Sequence, residues 1–370
     1  MLLPILASVL LVLGAPYVGE LRALLQTSFP DHYRSIIAGS VAAGVGSAII
    51  WTVLLLRRRG ASAGEDRGTR WRYTSMVSAI VFAGFYGRAV STGNTDVDLV
   101  EAFHFVEYGL IAYLFYRACR RRGDVSALVL PACAGVLVGV ADEWMQWVVP
   151  GRVGELHDVL LNAVAIGCGL LFSVAIHPPA SLALPYGRAS RLALAGTLGG
   201  VIVATAGFVD RVHLGHEIVD AQAGVFRSRY DAMALRTAAA ERDTVWQASP
   251  PPQGGFAMED HYLSEGLWHV QHRNSADSGR DSSTAWHENL ILERYYSPVL
   301  NRGSRWSAGQ RTEMERRFQD AAPNTYVSTA QPYPIYIIRR GPLWAIAGVL
   351  VALVAWLLAG RHGARPRQAA

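Results

Sequence analysis

Charge is scarce in this chain: of its 370 residues, 17% are charged and 51% are hydrophobic. About a quarter of an ordinary soluble domain is charged, so that class is excluded for most of the length. Cysteine is scarcer still. Cys119, Cys133 and Cys168 lie within or beside long apolar stretches, and residues 210–341 contain none, which excludes a disulfide-stapled framework there. No internal repeat is evident. His269 and His272, in HVQH, have the spacing of two metal ligands on one helix face, but a third at convincing spacing is missing. They read as surface or packing histidines.

What the chain does have is apolar residues in blocks. A bilayer helix needs about 20 of them. Eight windows qualify: 1–18, 35–56, 74–90, 99–117, 126–149, 157–177, 191–209 and 342–360. The first has no basic start, and its small-residue LGA is followed by Pro16, so it reads as a retained anchor rather than a cleaved signal. Arginines fall in clusters: Arg57, Arg58 and Arg59, helped by Arg67, Arg70 and Arg72; Arg117, Arg120, Arg121 and Arg122; Arg188 and Arg191; and Arg361, Arg365 and Arg367. Cytoplasmic loops carry such excess. With eight spans, all four clusters lie on one side, which predicts cytoplasmic termini. The loops 91–98 and 150–156 and the segment 210–341 then lie outside the cytoplasm. The net charge of +5 comes largely from these clusters and is weak ground for nucleic-acid binding.

The fold class expected is an all-α polytopic membrane protein with a mainly helical extracytoplasmic domain inserted before its last helix. The segments are 1–73, 74–177, 178–209, 210–341 and 342–370. Within 210–341, FRSRYDAMALRTAAAERD reads as a helix broken by SPPPQGG. EDHYLSEGLWHVQHRN and WHENLILERYYSPVL read as two more helices, separated by an NSADSGRDSST loop. Ser307 and Gln310 have capping-box spacing for a fourth. YPIYIIRR has strand composition, and Trp246, Trp268, Trp286 and Trp306 offer bulk for a core.

Polar residues in the central windows are grouped. Glu101, His104 and Tyr108 stand at i, i+3 and i+7 on one helix face, with Glu107 beside it. Asp142 and Gln146 are four apart, with Glu143 adjacent, and Asp158 and Asn162 are four apart again. The rise of about 1.5 Å per residue puts Asp142 and Glu143 roughly 10 Å below the Pro150 turn, Asn162 a similar distance from the start of the next helix and His104 slightly less from the start of its own, all on one side. Charges at that depth are costly unless they face inward and share protons, hydrogen bonds or a cation. A histidine beside carboxylates in unequal surroundings is a general acid/base arrangement. Arg152, on a Pro-Gly turn, suits a phosphate, and Arg88 is a second anion contact or snorkels to the surface. Trp144 and Trp147 read as packing or interfacial residues. The bland alternative is that the polar set glues helices together.

HFVEYGLIAYL followed by DEWMQWVVPGRVGELHDVLLNAVAIGCG resembles the VanZ-like family of bacterial membrane proteins, over roughly residues 75–177. The match rests on an acidic pair, a glutamine three residues on, a Pro-Gly-Arg turn, then Asp and Asn four apart. The resemblance implies functional roles for His104, Tyr108, Asp142, Glu143, Gln146, Arg152, Asp158 and Asn162. It also implies chemistry on lipid headgroups or lipid-linked cell-wall precursors, and a link to glycopeptide resistance. Val100 and Glu101 stand where many relatives have Asp-Lys, and Ala165 where glycine is common.

The expected assignment is His104, Asp142, Glu143 and Asp158 as catalytic groups, with Glu101, Tyr108, Gln146, Arg152 and Asn162 binding substrate. No dedicated metal site or cofactor is required by the sequence, although Glu101, Asp142, Glu143 and Asp158 carry the hard oxygens that suit Mg or Ca. The partner implied is a membrane lipid or lipid-linked envelope precursor. A proton-coupled lipid transporter and a non-catalytic envelope ligand-binding or stress protein remain open as alternatives.

Overall fold

The computed structural model describes residues 1–60, 66–91, 93–179, 182–184, 187–246, 257–300, 303–318 and 326–359. The SPPPQGG break and the basic tail from residue 360 onward lie outside them. The chain divides into two units, one of Met1–Met145, Leu156–Gly207 and Trp344–Ala370, the other of Gln146–Glu155 and Phe208–Leu343. In chain order the helices begin with α1 (Leu2–Ser28), α2 (Tyr33–Gly60), α3 (Asp66–Ala89), α4 (Thr95–Cys119), α5 (Ser126–Val148), α6 (Leu156–Ile176) and α7 (Arg188–Phe208). A π-helical turn (Val209–His213) leads to the hairpin β1 (His216–Asp220) and β2 (Gly224–Ser228). Then come α8 (Ala232–Val245), α9 (His261–Ser278), α10 (Ser282–Tyr295), α11 (Ser297–Leu300), α12 (Ala308–Phe318) and α13 (Arg340–Ala359).

Among the described residues seven helices are long and apolar enough to cross a membrane: α1, α2, α4, α5, α6, α7 and α13. The eighth expected window, 74–90, forms most of α3, whose first turns hold Arg67, Arg70 and Arg72 and dilute its apolarity. The protein is an all-α polytopic membrane protein. Its outward faces confirm the solvent it is built for, since Leu2 is 81% exposed and Trp356 68%, an arrangement water would penalise and lipid favours.

Close helix contact in the membrane unit is set by small residues. A Cβ on Gly169 of α6 would come 2.6 Å from Gly109 Cα and 2.9 Å from its carbonyl oxygen, so α4 and α6 meet backbone to backbone. Arg72 on α3 donates to the carbonyls of Ala175 and Ile176 at 2.7 and 2.6 Å. These are orphan acceptors at the end of α6, so the arginine caps that helix. At the start of α4, Asn94 accepts from the Asp96 N–H at 3.0 Å, and Asp96 and Asp98 in the first turn suit the helix dipole.

The second unit departs from expectation at its edges. The helix expected across FRSRYDAMALRTAAAERD starts only at Ala232, capped by Asp231. Phe226 and Ser228 are buried while Arg227 is exposed, a period-two pattern that makes this stretch a strand. It pairs antiparallel with β1, Ile218 opposite Phe226, and the turn works because Gly224 adopts φ +95°. YPIYIIRR is reduced to one bridge, Leu214 with Tyr336, since Pro332 and Pro334 withdraw the donors a ladder needs. α9 runs through NSADS to Ser278, leaving a shorter loop than expected.

The capping box is formed as expected, with Gln310 N–H donating to Ser307 Oγ at 3.2 Å and Ser307 N–H to Gln310 Oε1 at 3.0 Å. The core is richer in tyrosine than in tryptophan: Tyr262, Tyr295 and Tyr296 pack with Phe226, Leu235 and Ile291. Trp286 is buried, and Trp268 is 37% exposed.

Candidate functional site

The polar residues of the membrane unit resolve into two groups that α4 separates by its faces. One is buried. Tyr108 and Glu143 are fully buried, as is Asn162, and Asp142 is 6% exposed. Tyr108 donates its hydroxyl to Asp142 Oδ2 at 3.0 Å, and Asn162 Nδ2 approaches Glu143 Oε1 at 3.5 Å. His104, one turn before Tyr108, lies half-buried with its ring parallel to the phenol, centroids 5.9 Å apart. Gly139 makes this possible: a Cβ there would meet Asn162 Cβ at 3.0 Å and Tyr108 Cε1 at 3.6 Å. Three helices thus bring a histidine, a phenol, a primary amide and two adjacent carboxyl groups together. The buried Asn162 Oδ1 has no hydrogen-bond partner.

The two carboxyls have different neighbours, although they are consecutive in sequence. Asp142 accepts from a phenol and Glu143 faces an amide, and the Tyr108 hydroxyl lies within electrostatic range of both. Helical geometry turns consecutive residues about 100° apart, so one acidic pair can serve two surroundings.

The other group is half-buried. Glu101 lies within electrostatic range of His157, Asp158 and Asp98, and Tyr86 is near both Glu101 and Asp158. Asp98 accepts from Ser91 Oγ at 2.6 Å. Glu101 therefore keeps company with Asp158 rather than with the Tyr108 and Asp142 pair, although i, i+3 and i+7 spacing puts Glu101 and Tyr108 on one face. Asp98 and Tyr86 were not anticipated. A signal for Asp98 exists, since Asp98, Glu101, Phe105 and Gly109 follow one helical stripe. Among the described residues no three His, Cys, Asp or Glu side chains are placed to hold a metal ion.

Gln146 and Arg152 fall in the second unit with the whole turn Gln146–Glu155. Arg152 donates to Gln146 Oε1 at 2.7 Å, and its buried Nε has no partner. The turn is fixed within that unit: Gly151 N–H donates to Glu259 Oε2 at 3.1 Å, and Glu259 N–H to Val148 O at 2.8 Å. Trp147 stacks on His261 at 4.2 Å and carries the Arg229 guanidinium on its ring at 4.6 Å. Its role is packing, as its sequence context suggests. In the HVQH motif, His269 is buried and joined through Nδ1 to Glu288 Oε2 at 2.6 Å.

Comparison with curated proteins and with solved structures gave no match. Residues 45–177, which contain both polar groups of the membrane unit, match the family model described as VanZ/LLP1. That stretch is a VanZ-like domain within a polytopic membrane protein.

Proposed function

We propose that the VanZ-like domain performs headgroup chemistry, hydrolysis or transfer, on a lipid or lipid-linked envelope precursor in the outer leaflet of the bacterial cell membrane. The observation that carries this reading is the buried meeting of Tyr108, Asp142, Glu143 and Asn162 beside His104. Helix glue requires polar groups to satisfy one another. Here the buried Asn162 amide oxygen meets no protein donor, which leaves it for a donor supplied by a ligand.

In this account His104 moves the proton, and Asp142, oriented by the Tyr108 hydroxyl, supports the charge that develops on it. Glu143 and Asn162 position the headgroup, while Glu101 and Asp158 meet it from the half-buried group. Delivery of the headgroup to water is hydrolysis, and delivery to another hydroxyl is transfer. The arginine clusters favour cytoplasmic termini, with the second unit outside. A bearing on glycopeptide resistance follows from the family alone. The test is a lipid and precursor profile of cells expressing His104→Ala or Asp142→Ala. Both should match the deletion strain and differ from wild type, and variants indistinguishable from wild type would sink the reading.

A further inference from the structure

A groove of about 960 Å³ opens along α2, α3, α4 and α6, at the large end of the range for small-molecule pockets. On α4 its lining runs from Asp98 to Arg117, roughly 28 Å along the axis at about 1.5 Å per residue. That is close to the ~30 Å of bilayer hydrocarbon. Between its ends the lining is apolar and kept wide by glycine: a Cβ on Gly84 or Gly87 would meet nothing within 4 Å. The shape and chemistry suit a hydrocarbon chain lying parallel to the helices.

The mouth indicates which lipid. Asp98 and Glu101 line it, with Asp158 and His157 in electrostatic range of Glu101, so carboxylates outnumber cations. Arg34, the nearby arginine on α2, is already paired with Asp96 at 2.7 Å. A purely anionic headgroup would be repelled there. Arg88 follows the lining residue Gly87 by one and is exposed on α3, so the carboxylates are left to set the charge of the mouth. We infer that the groove binds a phospholipid with a primary amine in its headgroup, chain in the groove and ammonium against Glu101 and Asp98. As substrate, this lipid rests on the headgroup-chemistry reading above; as ligand, it rests on the groove alone.

The sequence contains no lysine, which permits a direct test. A membrane-permeant carbodiimide activates a half-buried carboxyl, and a neighbouring lipid amine displaces it to leave an amide, the carbodiimide taking up the elements of water as a urea. The only other amine is the N-terminus. Full-length protein in micelles containing phosphatidylethanolamine should gain one lipid mass, mapped to Glu101 or Asp98. Phosphatidylglycerol with the same chains should give none.

The yield should fall at least tenfold in an Asp98→Asn, Glu101→Gln double variant. It should fall as far in Gly84→Phe, or in Gly87→Leu if the first does not fold. Adducts mapping to carboxyls away from the mouth, or undiminished in the groove-filled variant, overturn the inference. Asp142→Asn should keep the full yield. An adduct in a protein without headgroup chemistry would leave the ligand standing and remove only the enzymatic reading.

Discussion

In the unit built around Phe208–Leu343, Glu288 accepts from Tyr326 and Ser328 hydroxyls at 2.5 Å each and faces His269 at 2.6 Å. Glu265 accepts from Ser228 and Tyr296 hydroxyls at 2.6 and 2.9 Å and from the Arg229 N–H at 3.2 Å. In the membrane unit the contact between Glu143 and Asn162 is 3.5 Å, at the limit of a hydrogen bond, and the amide oxygen beside it is unpartnered. Buried carboxyls saturated at short range hold a fold. In the membrane unit the Asn162 amide oxygen is the buried acceptor that meets no protein donor, and a ligand donor would satisfy it. On the headgroup-chemistry reading, the contrast separates structural from functional burial within one chain, where composition alone would treat both sets alike.

Electrostatics in the second unit follow the same logic. Burial pushes the Glu288 carboxyl up, but His269, Ser328 and Tyr326 outweigh it and leave it below its ordinary value. For Glu265 burial wins over its donors and the group is raised. His261 is pushed down to about 3, first by burial and then by the charges of Arg229 and Arg211.

The largest expected break in the comparison is chemical. Glu143→Gln keeps shape and hydrogen bonding, yet it should lower headgroup turnover by about 10²-fold, the usual cost of a misplaced reacting group, with little change in thermal unfolding. Glu288→Ala should do the reverse. Removing one partner of a buried pair costs about 3–5 kcal/mol, so hydrogen exchange should speed up through α9 and α10 while residual turnover per folded molecule is unchanged.

A smaller effect tests packing in the membrane unit. Gly169→Val must push α6 from the Gly109 backbone and should cost about 1–3 kcal/mol, the usual scale of overpacking, read as a lower unfolding temperature in detergent. The smallest is a pH dependence. His261 is neutral when folded down to about 3 but has an ordinary value of 6.5. The unfolded chain therefore binds a proton that the folded chain refuses, and stability falls as pH drops from about 6.5 towards 3. His261→Phe keeps a ring against Trp147 and should flatten that part of the profile of unfolding temperature against pH.

Much of this fold is legible in sequence because lipid imposes a blunt rule, a run of apolar residues long enough to cross. The window at 74–90 was harder, since α3 joins an apolar half to a basic one. The hairpin was missed because β2 is five residues long and runs into a helix-forming stretch; only the alternation of Phe226, Arg227 and Ser228 marks it. At the site, one-dimensional spacing supplied residue types and depth. It could not say that Glu101 would face the groove and Tyr108 the opposite neighbour, because residues at i, i+3 and i+7 span an arc wide enough to touch two helices. Nor could it assign Gln146 and Arg152 to the second unit, a grouping made by contacts with Glu259 that lie far away in sequence.

The most direct measurement reconstitutes the full chain in vesicles of bacterial lipid extract and follows release of water-soluble headgroup or its transfer to a new lipid. Wild type should convert lipid, and Asp142→Asn and His104→Gln should each run at least about 10²-fold slower at unchanged unfolding temperature. Equal conversion by all three, or none by the wild type, would contradict the assignment of chemistry to the buried group.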